Sequence, residues 1–516
     1  MPEKEKKRID PAVILLSAVS VLSFLLFYFS DFLRPGGAYK LGWYETWADQ
    51  GAYLDMVNGM RHGGLGDFNY PVLYPFFGFL GSFITKADPF VLVNLACFVA
   101  VIILSFKVFV KYFDRQLSLL ASVTLVMLLT GMFTVPWTTT LTSLCFMYVF
   151  YVFAYGKYEL FPAILAGICV GSAFAARFGD VLPVGAAFAV YSFIGIKDKK
   201  NLKPLIYGLS VAALIIAVDL LINYDFSGRF FGNYFASISG SGFNFEGIPY
   251  KFYGYVVDSL AFHRENHPFA VPLLRYAFVF SIAPLGLILL LKEKTLRAET
   301  IFSAFVLICW CVIYLPFVAV TGFTLKNFSL HYSKMLFPLL MFLSLFAIKL
   351  GLSERRNAGK LILFYFAAVA LVTIVFVKEF KFVQINLAEI AVASGNAASG
   401  SEMSVNTEAW KGWAGKGIQA PGMECVLELK KEKMINRIIL ESRGTEMKYP
   451  EEIGVYIRSG GNEWKKIKII GFFSKGEVFD MLFEAVNIKA VKFVIEKEKP
   501  GKKWIINNFY AFVRKH

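Results

Sequence analysis

Three groups of side chains in this sequence have the type and spacing to do chemistry: one acid on a short amphipathic segment, and two sets of cations at the ends of distant apolar runs. Asp49 stands at the head of Trp47-Ala-Asp49-Gln-Gly-Ala-Tyr53-Leu-Asp-Met-Val57-Asn-Gly-Met60. Apolar residues at Tyr53, Leu54, Val57 and Met60 predict a short helix with one greasy face. A carboxylate at that point can take the proton of an attacking hydroxyl. It can equally cap the helix by accepting backbone N–H bonds. The second group is Ala175-Ala-Arg177-Phe-Gly-Asp180-Val-Leu-Pro183, and the third is His331-Tyr332-Ser-Lys334-Met-Leu-Phe-Pro338. Arg177 and Lys334 suit a departing anion such as phosphate, Arg through a bidentate fork and Lys as a point charge. Each also has a plainer reading. Arg177 and Asp180 are spaced for a local ion pair, and Lys334 for snorkelling to a membrane surface.

The elements that must position these groups are membrane helices. The chain has 516 residues, 57% hydrophobic and 18% charged, with a mean hydropathy of +0.56. A soluble globular chain carries about 25% charged residues, so an all-soluble protein is excluded, as are a disordered chain and a fibrous repeat. The excess of 53 Lys+Arg over 38 Asp+Glu falls in short clusters between apolar runs. That pattern is one of membrane topology and not of a nucleic-acid footprint. Lys4, Lys6, Lys7 and Arg8 precede the first apolar run, from Pro11 to Leu33, which is too long for a signal-peptide core and lacks a cleavage site. Further clusters lie at Lys107/Lys111/Arg115, Lys157, Lys197/Lys199/Lys200/Lys203, Lys292/Lys294/Arg297 and Arg355/Arg356/Lys360. If each is cytoplasmic, the apolar runs between them pair off into about eleven crossings. Their predicted positions include 118–134, 138–155, 160–176, 181–195, 204–222, 273–291, 300–320, 335–350 and 361–377. The N-terminus is then inside and the C-terminus outside. Residues 70–85 are apolar but short, and read as a half-span or an interfacial helix, with a twelfth crossing as the alternative. The three chemical groups all fall on the outer side.

Asp49 and Tyr53, followed by Tyr70-Pro71-Val-Leu73-Tyr74-Pro75, resemble the first outer loop of the GT-C glycosyltransferases. That superfamily includes the protein O-mannosyltransferases and aminoarabinose transferases. Its acidic motif is commonly Asp-Glu-x-x-Tyr, followed by a Tyr-Pro-Pro-Leu-Tyr-Pro-like stretch. Here Gln50 replaces the Glu and Val72 the second Pro. Arg177 to Pro183, Phe231-Gly232-Asn233 and His331 to Pro338 are similar to later family motifs, with His331 where an Arg is usual. The resemblance covers nearly all of residues 10–380. It implies transfer of a sugar from a polyprenyl-phosphate donor to a glycan, lipid or protein acceptor at the outer face of the cytoplasmic membrane, with inversion. Asp49 is then the base, and Tyr53, Tyr70, Tyr74, Arg177, Asp180, His331, Tyr332 and Lys334 bind substrate. It leaves room for a Mg or Mn ion at the site, although the loss of the Glu weakens a two-acid or metal-binding version. The competing reading is a transporter or lipid flippase with an outer adhesion domain, which expects ionisable residues at mid-membrane and repeat symmetry.

From about Ala398 the charge density roughly doubles, marking a water-soluble body. Residues 1–380 are assigned to the membrane domain, 381–401 to a Gly/Ala/Ser-rich linker, and 402–516 to the outer domain. Alternating apolar residues at 425–429, 435–440, 453–457, 464–470, 491–495 and 509–513 predict the strands of a β-sandwich. Trp410, Trp413, Gln419, Pro421-Gly422, Leu427-Glu-Leu429, Tyr449-Pro450 and Val455 to Trp464 resemble the discoidin family of jelly-roll sandwiches. The resemblance implies carbohydrate or lipid-headgroup binding, with Trp410 and Trp413 as candidate sugar platform and Ca as a candidate structural ion. His263 and His267 lie on one helical face but lack a third metal ligand. Asp219, inside an apolar run, is expected beside a polar cavity or near the interface. Cys425 is alone in the outer domain, so no internal disulfide staples it.

Overall fold

The computed structural model describes residues 10–29, 48–64, 70–85, 87–197, 202–232, 282–316, 330–353, 382–384, 390–395, 413–441, 450–475, 478–498, 500–506 and 508–514. The chain divides into two compact units, Met1–Leu371 and Val372–His516.

The first unit is helical: α1 (Pro11–Phe29), α2 (Ala48–Arg61), α3 (Leu73–Gly81), α4 (Val91–Tyr112), α5 (Arg115–Thr134), α6 (Thr139–Ala154), α7 (Leu160–Ala176), α8 (Val181–Lys197), α9 (Leu202–Ser227), α10 (Ile282–Lys292), α11 (Arg297–Tyr314) and α12 (Leu336–Ser353). Among the described residues, six helices are long and apolar enough to cross a membrane: α1, α4, α5, α9 and the helices that include α8 and α11. Helices α6, α7, α10 and α12 are apolar and shorter. These ten coincide with ten of the expected crossings; the expected 361–377 crossing lies outside the described residues. Helix α3 has 9 residues. At ~1.5 Å per residue it reaches less than half of a ~30 Å hydrocarbon layer, so it is no crossing. Its Phe76, Leu80 and the following Phe83 and Ile84 are exposed, as an interfacial segment requires.

Polar contacts sort the helix ends into two layers. At one end, Asp10 pairs with Arg115, the Tyr155 hydroxyl donates to Lys107 O at 2.9 Å, and Lys349 Nζ donates to Tyr112 O at 2.8 Å. Tyr112 in turn donates to Glu299 Oε1 at 3.0 Å. At the other end, Tyr28 donates to Asp88 Oδ2 at 2.5 Å, Gln50 Nε2 to Pro136 O at 2.8 Å, and Trp310 Nε1 to Tyr332 O at 3.0 Å. Successive helices alternate between the layers. The cluster of Lys107 and Arg115, joined by Lys349, lies in the first, and the chemical groups in the second.

Between helices in lipid there is no hydrophobic drive, so close backbone approach through small residues supplies the packing. Ala163, Gly167 and Gly171 repeat every four residues along α7 and face Gly208 and Ala212 of α9. A Cβ on Gly167 would stand 1.9 Å from Gly208 O, and one on Gly208 2.5 Å from Ala163 O. Asp219 and Asn223 continue the same α9 face, and Asn223 Nδ2 donates to Asp219 Oδ2 at 2.9 Å. With 26 residues, α9 is longer than a ~30 Å layer needs, which leaves Asp219 toward the interface end.

The second unit is antiparallel in every described pairing. Its strands are β1 (Phe382–Gln384), β2 (Ile390–Gly395), β3 (Trp413–Ile418), β4 (Glu424–Glu441), β5 (Glu452–Arg458), β6 (Lys465–Lys466), β7 (Ile469–Lys475), β8 (Val478–Lys497), β9 (Lys503–Ile506) and β10 (Asn508–Arg514). Strands β4 and β8 are long and take part in two sets of pairings. Their outer halves make the order β2-β4-β8-β5-β6, and their other halves β1-β10-β4-β8-β7. Register shifts between Glu428 and Lys433 and between Ile435 and Arg437 bend the pair where one set passes into the other. Both sets contribute to one core: Cys425, Leu427, Val491 and Phe493 from the first, and Ile438, Leu440, Phe479 and Met481 from the second. Strands β1 and β2 occupy residues 382–384 and 390–395, within the stretch assigned to a linker. Its small residues Ala393, Ser394 and Gly395 pair with Leu427, Val426 and Cys425, so Gly/Ser composition there marks a strand and not a tether.

The α7–α9 contact yields a direct test. Gly167→Leu should lower stability by at least ~1–3 kcal/mol, because two backbones must separate to admit the side chain. Thermal unfolding of the detergent-solubilised protein reads the effect; an unchanged midpoint would show that the helices do not meet at this point.

Candidate functional site

Helix α2 begins at Ala48, which puts Asp49 inside the first turn and not at the cap. Its Oδ1 accepts the Tyr70 hydroxyl at 2.7 Å. Burial pushes the Asp49 carboxyl above its ordinary value, while the Tyr70 hydrogen bond and the charge of Arg177 pull it back down. Next to it, Gln50 is 1% exposed and ties α2 to the α5–α6 turn through Pro136. The Gln50 amide is therefore a structural donor. Behind Asp49 stands an aromatic wall. Tyr53 meets Tyr70 at 5.2 Å and Tyr74 at 5.6 Å between ring centres, both edge-on. Tyr74 stacks on Phe90 at 4.9 Å and donates its hydroxyl to Asn94 Oδ1 at 2.7 Å. Tyr53 and Tyr74, expected to bind substrate, are instead buried, with Tyr74's hydroxyl committed to the protein. They stand behind the acid, and the Tyr70 hydroxyl donates to it.

The cations come from the far side of the bundle. Helix α7 ends at Ala176, Arg177 is extended (φ −167°, ψ 110°), and a single 3-10 turn, Phe178–Asp180, leads into α8. This short link buries both charged residues. The Arg177 guanidinium lies 4.1 Å from the centre of the Tyr332 ring, a contact worth ~2 kcal/mol when desolvated. Its Nε reaches Tyr314 Oη at 3.4 Å, and its Nη1 reaches Thr138 Oγ1 at 3.5 Å. Tyr332 stacks on Tyr314 at 5.2 Å, and Tyr314 packs on Trp310 at 5.3 Å. Asp180 is fully buried and accepts from the Tyr314 hydroxyl and from Thr142 Oγ1 at 2.5 Å. More than a simple i,i+3 ion pair holds it.

Lys334 is also fully buried, so it does not snorkel. Its Nζ donates to Thr140 Oγ1 at 2.8 Å and lies 5.1 Å from the centre of the Phe133 ring. The backbone of His331 is in the 3-10 turn Leu330–Ser333, and its side chain lies outside the described residues.

The structure thus brings Asp49, Tyr70, Arg177, Asp180, Tyr332 and Lys334 to one end of the bundle. It adds residues that the sequence reading missed: Tyr314, Trp310 and the threonines of α6. Thr138, Thr140 and Thr142 each take one charged partner, Arg177, Lys334 and Asp180 in turn. The signal was present. Thr138-Thr-Thr-Leu-Thr-Ser143 puts five hydroxyls into six residues that head an apolar helix, where each needs a partner once buried. Among the described residues no three His, Cys, Asp or Glu side chains converge as a metal site. A phenol and a guanidinium beside one carboxylate form a donor set for an anion, which a Mg or Mn ion does not fit. Of the candidates in the C-terminal unit, Trp410 lies outside the described residues. Trp413 opens β3, opposite Ile506 of β9, and its side chain lies outside them too. His263 and His267 likewise fall outside.

No family model matches the chain, and no curated protein matches it. Solved structures match over about a quarter of its length, in the C-terminal antiparallel β region. One holds the CBM32-1 and CBM32-2 domains of Clostridium perfringens ZmpB in complex with GalNAc, at 19% identity and a TM-score of 0.21, covering 26% of this chain and 35% of that one. The chain therefore spans about a third of that structure's length. Another is the family 32 module of C. perfringens NanJ in complex with galactose, at 14% identity and a TM-score of 0.23, covering 26% and 99%. A third is CpGH89CBM32-5 from C. perfringens in complex with GalNAc-β-1,3-galactose, at 15% identity and a TM-score of 0.22, covering 25% and 100%. The chain is thus a protein of apolar, membrane-type helices followed by an antiparallel β region similar to those carbohydrate-binding modules.

Proposed function

We propose that the helical body is a glycosyltransferase of GT-C type, which moves a sugar from a polyprenyl-phosphate donor to a hydroxyl acceptor on the non-cytosolic side of the cytoplasmic membrane. The observation that carries this reading is the buried Asp49 carboxylate, held by the Tyr70 hydroxyl and within the field of the Arg177 charge, at the bundle end opposite the basic clusters. By the positive-inside rule the basic end is cytoplasmic, which leaves the acid at outer headgroup depth, where the phosphate of a lipid-linked sugar lies.

In the reaction, Asp49 takes the proton of the acceptor hydroxyl as its oxygen bonds to the anomeric carbon. The bond from that carbon to the phosphate oxygen breaks, and its electron pair leaves on the phosphate. Arg177 is the cation placed to meet that charge, and Lys334 adds positive field from a deeper layer, where low dielectric strengthens it. Asp180's carboxylate is held by Tyr314 and Thr142. One available carboxylate supports a single displacement with inversion. The outer β domain would hold a glycan acceptor, a role supported by the discoidin-like order of its sequence. A carrier, by contrast, needs ionisable groups at mid-depth. Here Asp49, Arg177, Asp180 and Lys334 gather at one end.

Asp49→Asn should reduce sugar transfer from lipid-linked donor by ~10²–10⁴-fold in reconstituted membranes, the range a positioned base contributes. Undiminished transfer would remove the base. The pH profile gives an independent reading. Asp49 must be ionised to act, and burial raises its pKa. The rate should therefore fall as pH drops through a value above the ordinary carboxylate range of about 4. Tyr70→Phe deletes a hydrogen bond that favours the charged form, so this acid limb should move to still higher pH. A limb that stays put would separate the acid from the rate.

A further inference from the structure

The end of the bundle opposite Asp49 carries a cluster that the proposed reaction does not use. Lys107 and Lys111 lie one turn apart on α4 and are exposed, and Lys157 follows the C-terminus of α6. All three ammonium groups surround two tyrosines of α6 and its cap. Lys107 Nζ and Lys157 Nζ stand 5.8 Å and 4.7 Å from the centre of the Tyr151 ring. Lys111 Nζ and Lys157 Nζ each stand 5.8 Å from the centre of the Tyr155 ring.

The cluster is built and not a chance of long side chains. Helix α6 closes with Gly156 at φ +57°, a left-handed conformation that glycine adopts without strain. Gly156 N donates to Phe153 O and Lys157 N to Val152 O, each at 3.0 Å. This doubled closure fixes the position just after the cap. The Lys157 carbonyl then accepts the Tyr191 hydroxyl, and its Nζ donates to Tyr151 Oη at 2.8 Å. Tyr155 Oη donates to Lys107 O, which ties α4 to the same point.

None of the three lysines has a carboxylate partner among the described residues. Of the acids of this layer, Asp10 pairs with Arg115, Asp114 accepts from Leu117 N at 2.9 Å, and Glu299 accepts from the Tyr112 hydroxyl at 3.0 Å. Three like charges around two rings repel one another, and an anion between them would relieve that repulsion. The charges lie where apolar helices end, at the depth of lipid phosphates, and a basic pocket between membrane helices suits an anionic head group.

We infer that Lys107, Lys111 and Lys157, with Tyr151 and Tyr155, form a binding site for the phosphodiester of an anionic phospholipid in the leaflet opposite the Asp49 site. The ammonium groups bind the phosphate oxygens, and the tyrosine rings hold the ammonium groups in place between them. This site stands independently of the catalytic reading.

Native mass spectrometry of the full chain in neutral detergent, titrated with phosphatidylglycerol or phosphatidylcholine, tests it. The expected result is a saturable phosphatidylglycerol adduct that Lys107→Gln/Lys111→Gln/Lys157→Gln weakens by ~10-fold or more, each ammonium–phosphate contact near a membrane surface being worth ~1 kcal/mol. The single variant Lys111→Gln, at an exposed position, should lose about 3-fold or more on the same scale. Lys292→Gln/Lys294→Gln, also on this layer, should leave the adduct unchanged. Phosphatidylglycerol should raise the thermal midpoint of the unsubstituted protein but not of the triple variant, and inorganic phosphate at equal concentration should not substitute for it. Equal losses in the Lys292/Lys294 variant, an undiminished adduct in the triple or single variant, or full replacement by inorganic phosphate would each overturn the proposal.

Discussion

Burying charge at one end of an apolar helix bundle is costly unless every charged group has a partner, and the first turns of α6 meet that demand. Thr138, Thr140 and Thr142 alternate along the chain and meet Arg177, Lys334 and Asp180, which arrive from the α7–α8 link and the turn before α12. The hydroxyl of Tyr314 then joins Arg177 to Asp180, and Tyr332 covers the guanidinium. Neighbouring opposite charges and hydroxyls compensate the loss of water. Asp49 completes the set across the gap to α2. Without α6 as a common floor, these groups would have no reason to converge.

The rest of the helical body holds that floor in place by different means. Helices α7 and α9 approach until backbones touch at Gly167 and Gly208, which fixes the direction in which α7 delivers Arg177. On the other side, Gln50 pins α2 to Pro136, immediately before the threonines. The aromatic wall of Tyr53, Tyr74 and Phe90 stands behind Asp49. Two short links, one before α6 and one after α7, thus set the separation of acid and cation. At the opposite end, the lysines around Tyr151 and Tyr155 meet tyrosine rings and one tyrosine hydroxyl but no carboxylate among the described residues. That asymmetry distinguishes an end whose charges are buried among partners from one where Lys107 and Lys111 are exposed.

Much of the architecture was legible in the sequence. Apolar runs and basic clusters located ten helices and their alternation, because hydrophobic length and charge at helix ends are local properties. The helix carrying Asp49 is predicted from its apolar spacing, whereas residues 70–85 leave a half-span, an interfacial helix and a twelfth crossing as alternatives that the nine-residue length of α3 decides. In the second unit, alternation marked the centres of strands. It did not show that β4 and β8 run on as single long strands, nor that β2 occupies the Ala393-Ser394-Gly395 stretch. Small residues have no side chain with which to display a period.

What the sequence by itself determined, then, is the set of apolar helical stretches, the basic clusters between them, and the candidate acid and cations. Only the tertiary structure decided which of those groups meet. It separated Tyr70, which donates to Asp49, from Tyr53 and Tyr74, which stand behind it. It also placed Lys334 deep on Thr140 and not at the surface, and recruited Tyr314 and the α6 threonines. The reason is physical: a residue's burial and partners depend on which distant helices pack beside it, and neighbours along the chain do not encode that contact.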